Sequence, residues 1–434
     1  MFQIDMLGLD LFERSNGDES LVIVVRLNFR ETIQYDCMQR ALERAAMRYK
    51  LFHSVLASTG EGLIFQESSQ KPVLKRDNRK YRLGSEELAH FPYRVSCQEK
   101  ELTISLHHGI TDGYGAVEFT KTLLYYYLLE AGKPVTDEGK IRLNEIPYDT
   151  QAEDELAYVK YYDPDVMAPQ KETGSVVPFA LPVKYWDEEG QYIYRHFKIT
   201  LSAEEILKSA RSSSATAVVN ALICKSFAKA YDLEEKLLIS SITSDFRKLL
   251  PSRTLQNFSG YIISFYPPNM HPLSLEETAS AMKGIIQMNN TKENAILQIR
   301  ETTEVGQKII KMPTQKLFEE KSAVRHAKKA VRQSLGYLLT NIGRPDIPLS
   351  MAQWIEDMEL YVPAVTSPIV IGMNTVNDKM TLSISQSFED DALIHTFQSV
   401  CSDYGFSVEV KDMGLEEFDT LGIDGVSFLT EERN

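Results

Sequence analysis

No stretch of this sequence reaches the roughly 18 consecutive apolar residues that a bilayer-crossing helix needs, so nothing in it reads as a membrane span. Cysteine is scarce. Cys37, Cys97, Cys224 and Cys401 stand far apart with no metal-ligand spacing, and free thiols in a reducing, cytoplasmic compartment account for them most simply. The opening residues, Met1 to Asp10, lack a basic segment and carry two early acids, so they do not read as a signal peptide. Positive charge is short as well: 47 Lys and Arg face 61 Asp and Glu, for a net charge of −14. That balance argues against nucleic acid, whose affinity comes from cations on phosphate, and against an anionic membrane surface. There is no internal repeat and no low-complexity segment. The Gly-x-Ser-x-Gly turn that carries the nucleophile of many hydrolases is also absent.

What is present is the composition of a globular protein, 43% hydrophobic and 25% charged, in a chain of 434 residues that is too long for one ordinary core. Periodicity predicts a buried strand over 20–29, an amphipathic helix over 32–49 with Met38, Leu42, Ala45 and Tyr49 on one stripe, and a short strand at 63–65. Residues 131 to about 190 change character: acids and prolines cluster, as in Glu145-Ile146-Pro147-Tyr148-Asp149, and periodicity fades. The reading is therefore two domains, 1–175 and 176–434. In the second, strands are expected at 192–199, 237–242, 261–266, 337–341, 369–373 and 380–388. A helix is expected over 215–231, and another should begin at Ser202 with Glu205 completing a capping box.

The densest chemistry lies in His107-His108-Gly109-Ile110-Thr111-Asp112-Gly113. Upstream, Leu102, Ile104 and Leu106 alternate with Glu101, Thr103 and Ser105, the pattern of a half-buried strand. Downstream, Gly113 opens a run with Val117, Leu124 and Leu128 at helical spacing. The histidines thus close a strand just before a helix, where α/β proteins often place chemistry. Imidazole is the side chain whose ordinary pKa lies nearest neutrality, hence the commonest proton acceptor. Successive strand side chains point to opposite faces, so one histidine should meet a cavity and the other packing. Parity does not say which. Residue by residue, the segment also fits two solvated loop histidines before an Asp-Gly turn.

As a whole, His-His-x-x-x-Asp-Gly at a strand end resembles the signature of the chloramphenicol-acetyltransferase-like and condensation-domain acyltransferases. Two further segments resemble that superfamily in the same order: Asp245-Phe246-Arg247-Lys248-Leu249-Leu250-Pro251 and Thr340-Asn341-Ile342-Gly343-Arg344. The second is closest to the alcohol acetyltransferase branch. The resemblance spans roughly residues 1–410, and the lack of an Asp-Phe-Gly-Trp-Gly stretch sets the chain apart from the plant BAHD branch. It implies an α/β fold of the two-layer sandwich type, with two chloramphenicol-acetyltransferase-like halves and a channel between them.

By the same resemblance, His108 is the catalytic base and takes the proton of an alcohol or amine as it attacks an acyl thioester. His107 packs, Gly113 allows the turn and a close helix start, and Asp112 pairs with Arg247 of the other half. The implied co-substrate is acyl-CoA, with no permanently bound cofactor and no metal. An acyl group presented by an acyl carrier protein is the alternative donor, and a non-catalytic binding module of the same fold is the alternative function.

Other residues have weaker signals. Thr366 and Ser367 precede a strand where some relatives place an oxyanion donor, and they equally form a strand-leading turn. Asn341 is a channel-wall candidate or a turn asparagine. Arg325, Lys328, Lys329 and Arg332 share one helix face at i, i+3, i+4 and i+7, either as a contact for CoA or carrier phosphates or as a solvated face. Channel width is expected to depend on side chains such as Phe265 and Tyr266.

Overall fold

The structure is a computed structural model. It describes residues 1–15, 20–59, 62–167, 177–211, 213–233, 235–310, 331–332, 334–365, 367–421 and 426–428. Two large sheets organise them. The first runs in the order Ile355–Tyr361, Val22–Phe29, Glu101–His107, Tyr93–Gln98, Leu74–Lys75. The second has seven strands: Ser259–Tyr266, Leu238–Asp245, Tyr337–Gly343, Ile369–Val376, Lys379–Gln386, Tyr194–Ser202 and Val408–Glu416. A smaller sheet pairs Phe2–Gln3, Gly62–Glu67, Ser54–Thr59 and Val426–Phe428.

In the first sheet, cross-strand pairs Ile23–Leu106, Val25–Ile104 and Leu27–Leu102 make a continuous apolar face. These residues share one core with Met38, Leu42 and Ala45 of helix Tyr35–Arg48 and with Phe119, Leu123 and Leu124 of helix Gly113–Glu130. The second sheet has its own core, built with helices Ala215–Ala230, Leu275–Asn289 and Ala392–Asp403. Two cores are what a chain of this length is expected to need.

The cut at 175/176 divides the sequence but not the hydrogen bonding. Strand Ile355–Tyr361 lies far into the second half of the chain, yet it pairs antiparallel with Val22–Phe29 at the edge of the first sheet. The alternation read at 101–106 as half-buried also needs correcting. Thr103 is 2% exposed and Ser105 0%, so both faces of the sheet are covered. The cover on the polar face is ionic. Arg26 pairs with Glu416, Arg94 donates from Nε to Asp419 at 2.8 Å, and Lys198 reaches Asp357 and Glu359 at 2.8 and 3.0 Å.

Local expectations differ in detail. Ser202 does cap the helix Ala203–Ser209 through the Glu205 N–H. The Glu205 carboxylate, however, does not complete the box; it accepts from the N–H and hydroxyl of Ser407. A complete box occurs instead at Ser274 and Glu277. Tyr266 is buried in the second core and Phe265 is exposed on an edge strand, so neither sets the width of the cleft described below.

Asp419 also accepts the Tyr81 N–H at 2.7 Å, so it ties the segment after the last long strand to the first sheet through Arg94 and to the residues before strand Arg82–Leu83 through Tyr81. Removing one member of a buried pair strands the other charge. Asp419→Ala should therefore lower unfolding free energy by about 3–5 kcal/mol, read from urea denaturation against wild type.

Candidate active site

Strand Glu101–His107 ends at the first histidine, and His108 leaves it with its N–H on the Leu21 carbonyl at 2.8 Å. Asp112 then caps helix Gly113–Glu130, accepting from the N–H groups of Tyr114 and Gly115 on Oδ1. The turn is crowded. A Cβ on Gly115 would sit 2.0 Å from the Thr111 hydroxyl and 2.5 Å from the Leu255 carbonyl, and one on Gly113 would lie 2.9 Å from Ile342. Gly113 has no positive φ, so close approach of the second lobe explains glycine here better than turn geometry does.

The other Asp112 oxygen, Oδ2, accepts from Arg247 Nη1 and from the Phe258 N–H, both at 2.8 Å. Asp112 thus accepts from four donors, drawn from its own helix, from Arg247 and from the Phe258 backbone. Arg247 is equally committed: it donates to Asp245 Oδ1 at 3.0 Å and to the carbonyls of Thr254 and Gln256 at 3.1 and 2.6 Å, and it lies over the Tyr114 ring. The pair therefore holds the 254–258 loop against the histidine turn.

That loop delivers Asn257, whose Oδ1 lies 3.1 Å from His108 Nδ1. The amide is oriented by its other end, since Asn257 Nδ2 donates to Asp5 at 3.2 Å. Asn257 thus presents oxygen to the imidazole as an acceptor for Nδ1–H, an arrangement that in a neutral ring puts the lone pair on Nε2. Burial pushes the Asp5 carboxyl up to about 7, with the Asp112 charge adding to the shift and N–H donors from Gly8 and Asn257 opposing it.

His108, Asp112, Tyr114, Asp245, Arg247 and Asn341 line a cavity of about 450 Å³. It lies between the start of helix Gly113–Glu130 and the ends of strands Leu238–Asp245 and Tyr337–Gly343. Asn341 stands in its wall, donating to Thr216 at 2.8 Å and accepting the Gly343 N–H at 2.7 Å. Thr243 and Thr340 place hydroxyls on the same wall, 3.1 Å apart. Exposed Lys248 and Arg344 also line it, and neither has an ion pair among the described residues.

His107 faces the other way. It is fully buried, stacked 4.6 Å from the Phe12 ring, with Nε2 2.5 Å from the Ser15 hydroxyl and Nδ1 accepting the Gly109 N–H. Burial pushes its pKa down to about 3, so it stays neutral.

Several other expected site residues lie elsewhere. Thr366, Arg325, Lys328 and Lys329 are outside the described residues. Ser367 is buried, and its hydroxyl donates to the Ile369 carbonyl, not into the cleft. Arg332 is 5% exposed and holds Asp187 through two bonds of 2.9 and 3.1 Å; a buried, paired guanidinium is not a phosphate contact. Two residues that local patterning did not reveal, Asn257 and Asp5, complete the arrangement. The one signal available was Asp5 standing before an apolar run, an N-cap signature, and the structure places helix Met6–Arg14 there.

No protein-family model matches the sequence, and no curated protein sequence matches it. Solved structures do. TRI101 from F. graminearum, crystallised with coenzyme A and T-2 mycotoxin, aligns over 92% of this chain and 97% of its own with 13% identity and a TM-score of 0.57. TRI3, a trichothecene 15-O-acetyltransferase from Fusarium sporotrichioides, aligns over 93% and 94% with 13% identity and a TM-score of 0.57. The condensation domain of the monacolin K polyketide synthase MokA aligns over 93% and 97% with 12% identity and a TM-score of 0.56. The fold is thus the two-lobed chloramphenicol-acetyltransferase-like and condensation-domain fold.

Two outcomes follow from this geometry. Asp112→Ala removes the acceptor of four donors and leaves Arg247 with Asp245 as its counter-charge, so it should cost about 3 kcal/mol, measured by chemical denaturation. The His107 pKa lies below its ordinary value of 6.5, so between 6.5 and about 3 the unfolded chain binds a proton that the folded chain refuses. The contribution of His107 to stability is present above 6.5 and lost as pH falls toward 3. Denaturation midpoints for His107→Asn should therefore fall less steeply than those of wild type between pH 7 and 4.

Proposed function

We propose that this protein is an acyltransferase that moves an acyl group from acyl-CoA to an alcohol or amine acceptor, with His108 as general base. The observation that carries this reading is the placement of His108, with Nδ1 3.1 Å from the Asn257 oxygen and the ring at the wall of a cleft between two lobes. In this reading Nε2 takes the proton from the acceptor as its oxygen or nitrogen bonds to the thioester carbon. The tetrahedral intermediate then collapses, the carbon–sulfur bond breaks, and the imidazolium returns the proton to the leaving thiolate. No nucleophilic side chain is required. Asp112 and Arg247 do not exchange protons; they hold the turn and the loop in register. Lys248 and Arg344 at the cleft supply cations for the phosphates of CoA, in a chain whose overall charge would otherwise repel an anionic donor.

The same cations fit the single phosphate of a phosphopantetheine arm, and a condensation domain shares the fold. A carrier-borne acyl donor is therefore the second reading, and a binding module without turnover the third. Thiol release should be followed with acyl-CoA and, separately, with a loaded carrier protein, each over a panel of alcohols and amines. We expect turnover with acyl-CoA, reduced ~10²- to 10⁴-fold in His108→Ala with the circular dichroism spectrum unchanged. Turnover with the carrier alone would favour the second reading. Equal inertness of wild type and mutant with both donors would favour the third.

A further inference from the structure

The first fifteen residues brace both histidines, one at each end of a single helix. At its start, Asp5 Oδ1 caps helix Met6–Arg14 through the Gly8 N–H at 2.8 Å. Asp5 Oδ2 accepts the backbone and side-chain N–H groups of Asn257, each at 3.2 Å. Gln256 reinforces the junction, accepting the Asp5 N–H at 2.8 Å and donating to the Gln3 carbonyl at 3.2 Å. At the far end, Ser15 and Phe12 hold His107. Between them the helix lies directly on the histidine loop. A Cβ on Gly8 would meet the Gly109 carbonyl at 2.5 Å, and one on Gly109 would meet the Phe12 ring at 2.7 Å.

We propose that Asp5 is a positioning residue for the base: by accepting both N–H groups of Asn257, it fixes which end of that amide meets His108 and so which imidazole nitrogen carries the proton. Above about pH 7 Asp5 is ionised and its carboxylate only accepts, so Asn257 must turn its NH₂ toward Asp5 and its oxygen toward the ring. With the amide reversed, its NH₂ would donate to Nδ1, the proton would move to Nε2, and the nitrogen facing the cleft would no longer be a base. Asp5 touches neither substrate nor His108 and acts entirely through Asn257. The catalytic consequence rests on the reading of His108 given above, whereas the tautomer does not.

The test uses Asp5→Ser in the full chain. Serine caps helices about as well as aspartate, so the helix start is retained, but the two Asn257 N–H groups lose their shared acceptor. Proteins labelled with ¹⁵N-histidine are compared at pH 8 by long-range ¹H–¹⁵N spectra, with the His108 signals assigned by their loss in His108→Ala. Wild type should show the Nδ1–H form, and Asp5→Ser a mixture with Nε2–H. Where acyl transfer is measured, kcat should fall about 10-fold with KM for the donor unchanged. In an Asn257→Ala background, Asp5→Ser should bring no further change in tautomer or kcat, as expected of a residue acting only through Asn257. Asp5→Asn, closer in shape, serves if the serine variant does not fold.

An unaltered Nδ1–H form in the folded variant overturns the proposal, whatever happens to kcat. So does a further kcat loss when Asp5→Ser is added to Asn257→Ala. A shifted tautomer in a protein that transfers no acyl group to any acceptor would support the positioning role and count against the acyltransferase reading instead.

Discussion

The buried pair between Asp112 and Arg247 governs the rest of the site. Each partner lies in a different half of the sequence, and each is nearly without solvent. In such surroundings an ion pair holds only if its remaining hydrogen-bonding capacity is satisfied. Here Asp112 has four N–H donors, and Arg247 spends its other N–H groups on Asp245 and on the carbonyls of the 254–258 loop. One arginine therefore fixes the start of the histidine-bearing helix, the loop that carries Asn257, and the distance between them. His108 is oriented by a chain of contacts that begins at this pair and continues through Asn257 to Asp5.

The same principle operates on a larger scale behind the first sheet. A sheet with one polar face ordinarily leaves that face in water. Here the polar face is covered by Glu416, Asp419 and Lys198, and the crossover strand Ile355–Tyr361 contributes the carboxylates that Lys198 meets. The lobes are joined by charges with defined partners as well as by apolar contact. Charged partners impose a register that apolar surfaces alone do not, which suits a cleft whose two walls come from different lobes.

Much of the fold was legible because its signals are local. Helix Gly113–Glu130 and strands Tyr337–Gly343 and Lys379–Gln386 carry apolar residues at regular spacing. The elements missed are those where the pattern is blurred. Strand Tyr93–Gln98 alternates, but its polar side, Arg94 and Ser96, is buried as deeply as its apolar side. Strand Ile355–Tyr361 carries three acids, which reads as loop until their partners Lys198 and Asn28 are known. In the site, His108 and Arg247 were visible because each stands in a short motif. Asn257 and Asp5 were not, because they meet His108 and each other across 149 and 252 residues of sequence. Arg332 misled for the opposite reason: its helical spacing with other cations suggested a surface stripe, whereas Asp187 draws it inward.

By itself the sequence determined the strand–turn–helix unit around the histidines. An N-cap needs only an acceptor and the N–H groups two and three residues on, and a strand needs only its alternation. Tertiary structure alone decided which histidine faces the cleft. Both rings stand at one strand end with the same intrinsic chemistry. They differ because Ser15 and Phe12 enclose His107 while Asn257, which also meets Asp5, contacts His108 at Nδ1. A proton's position on an imidazole is set by what the other nitrogen touches, and no local pattern encodes that contact.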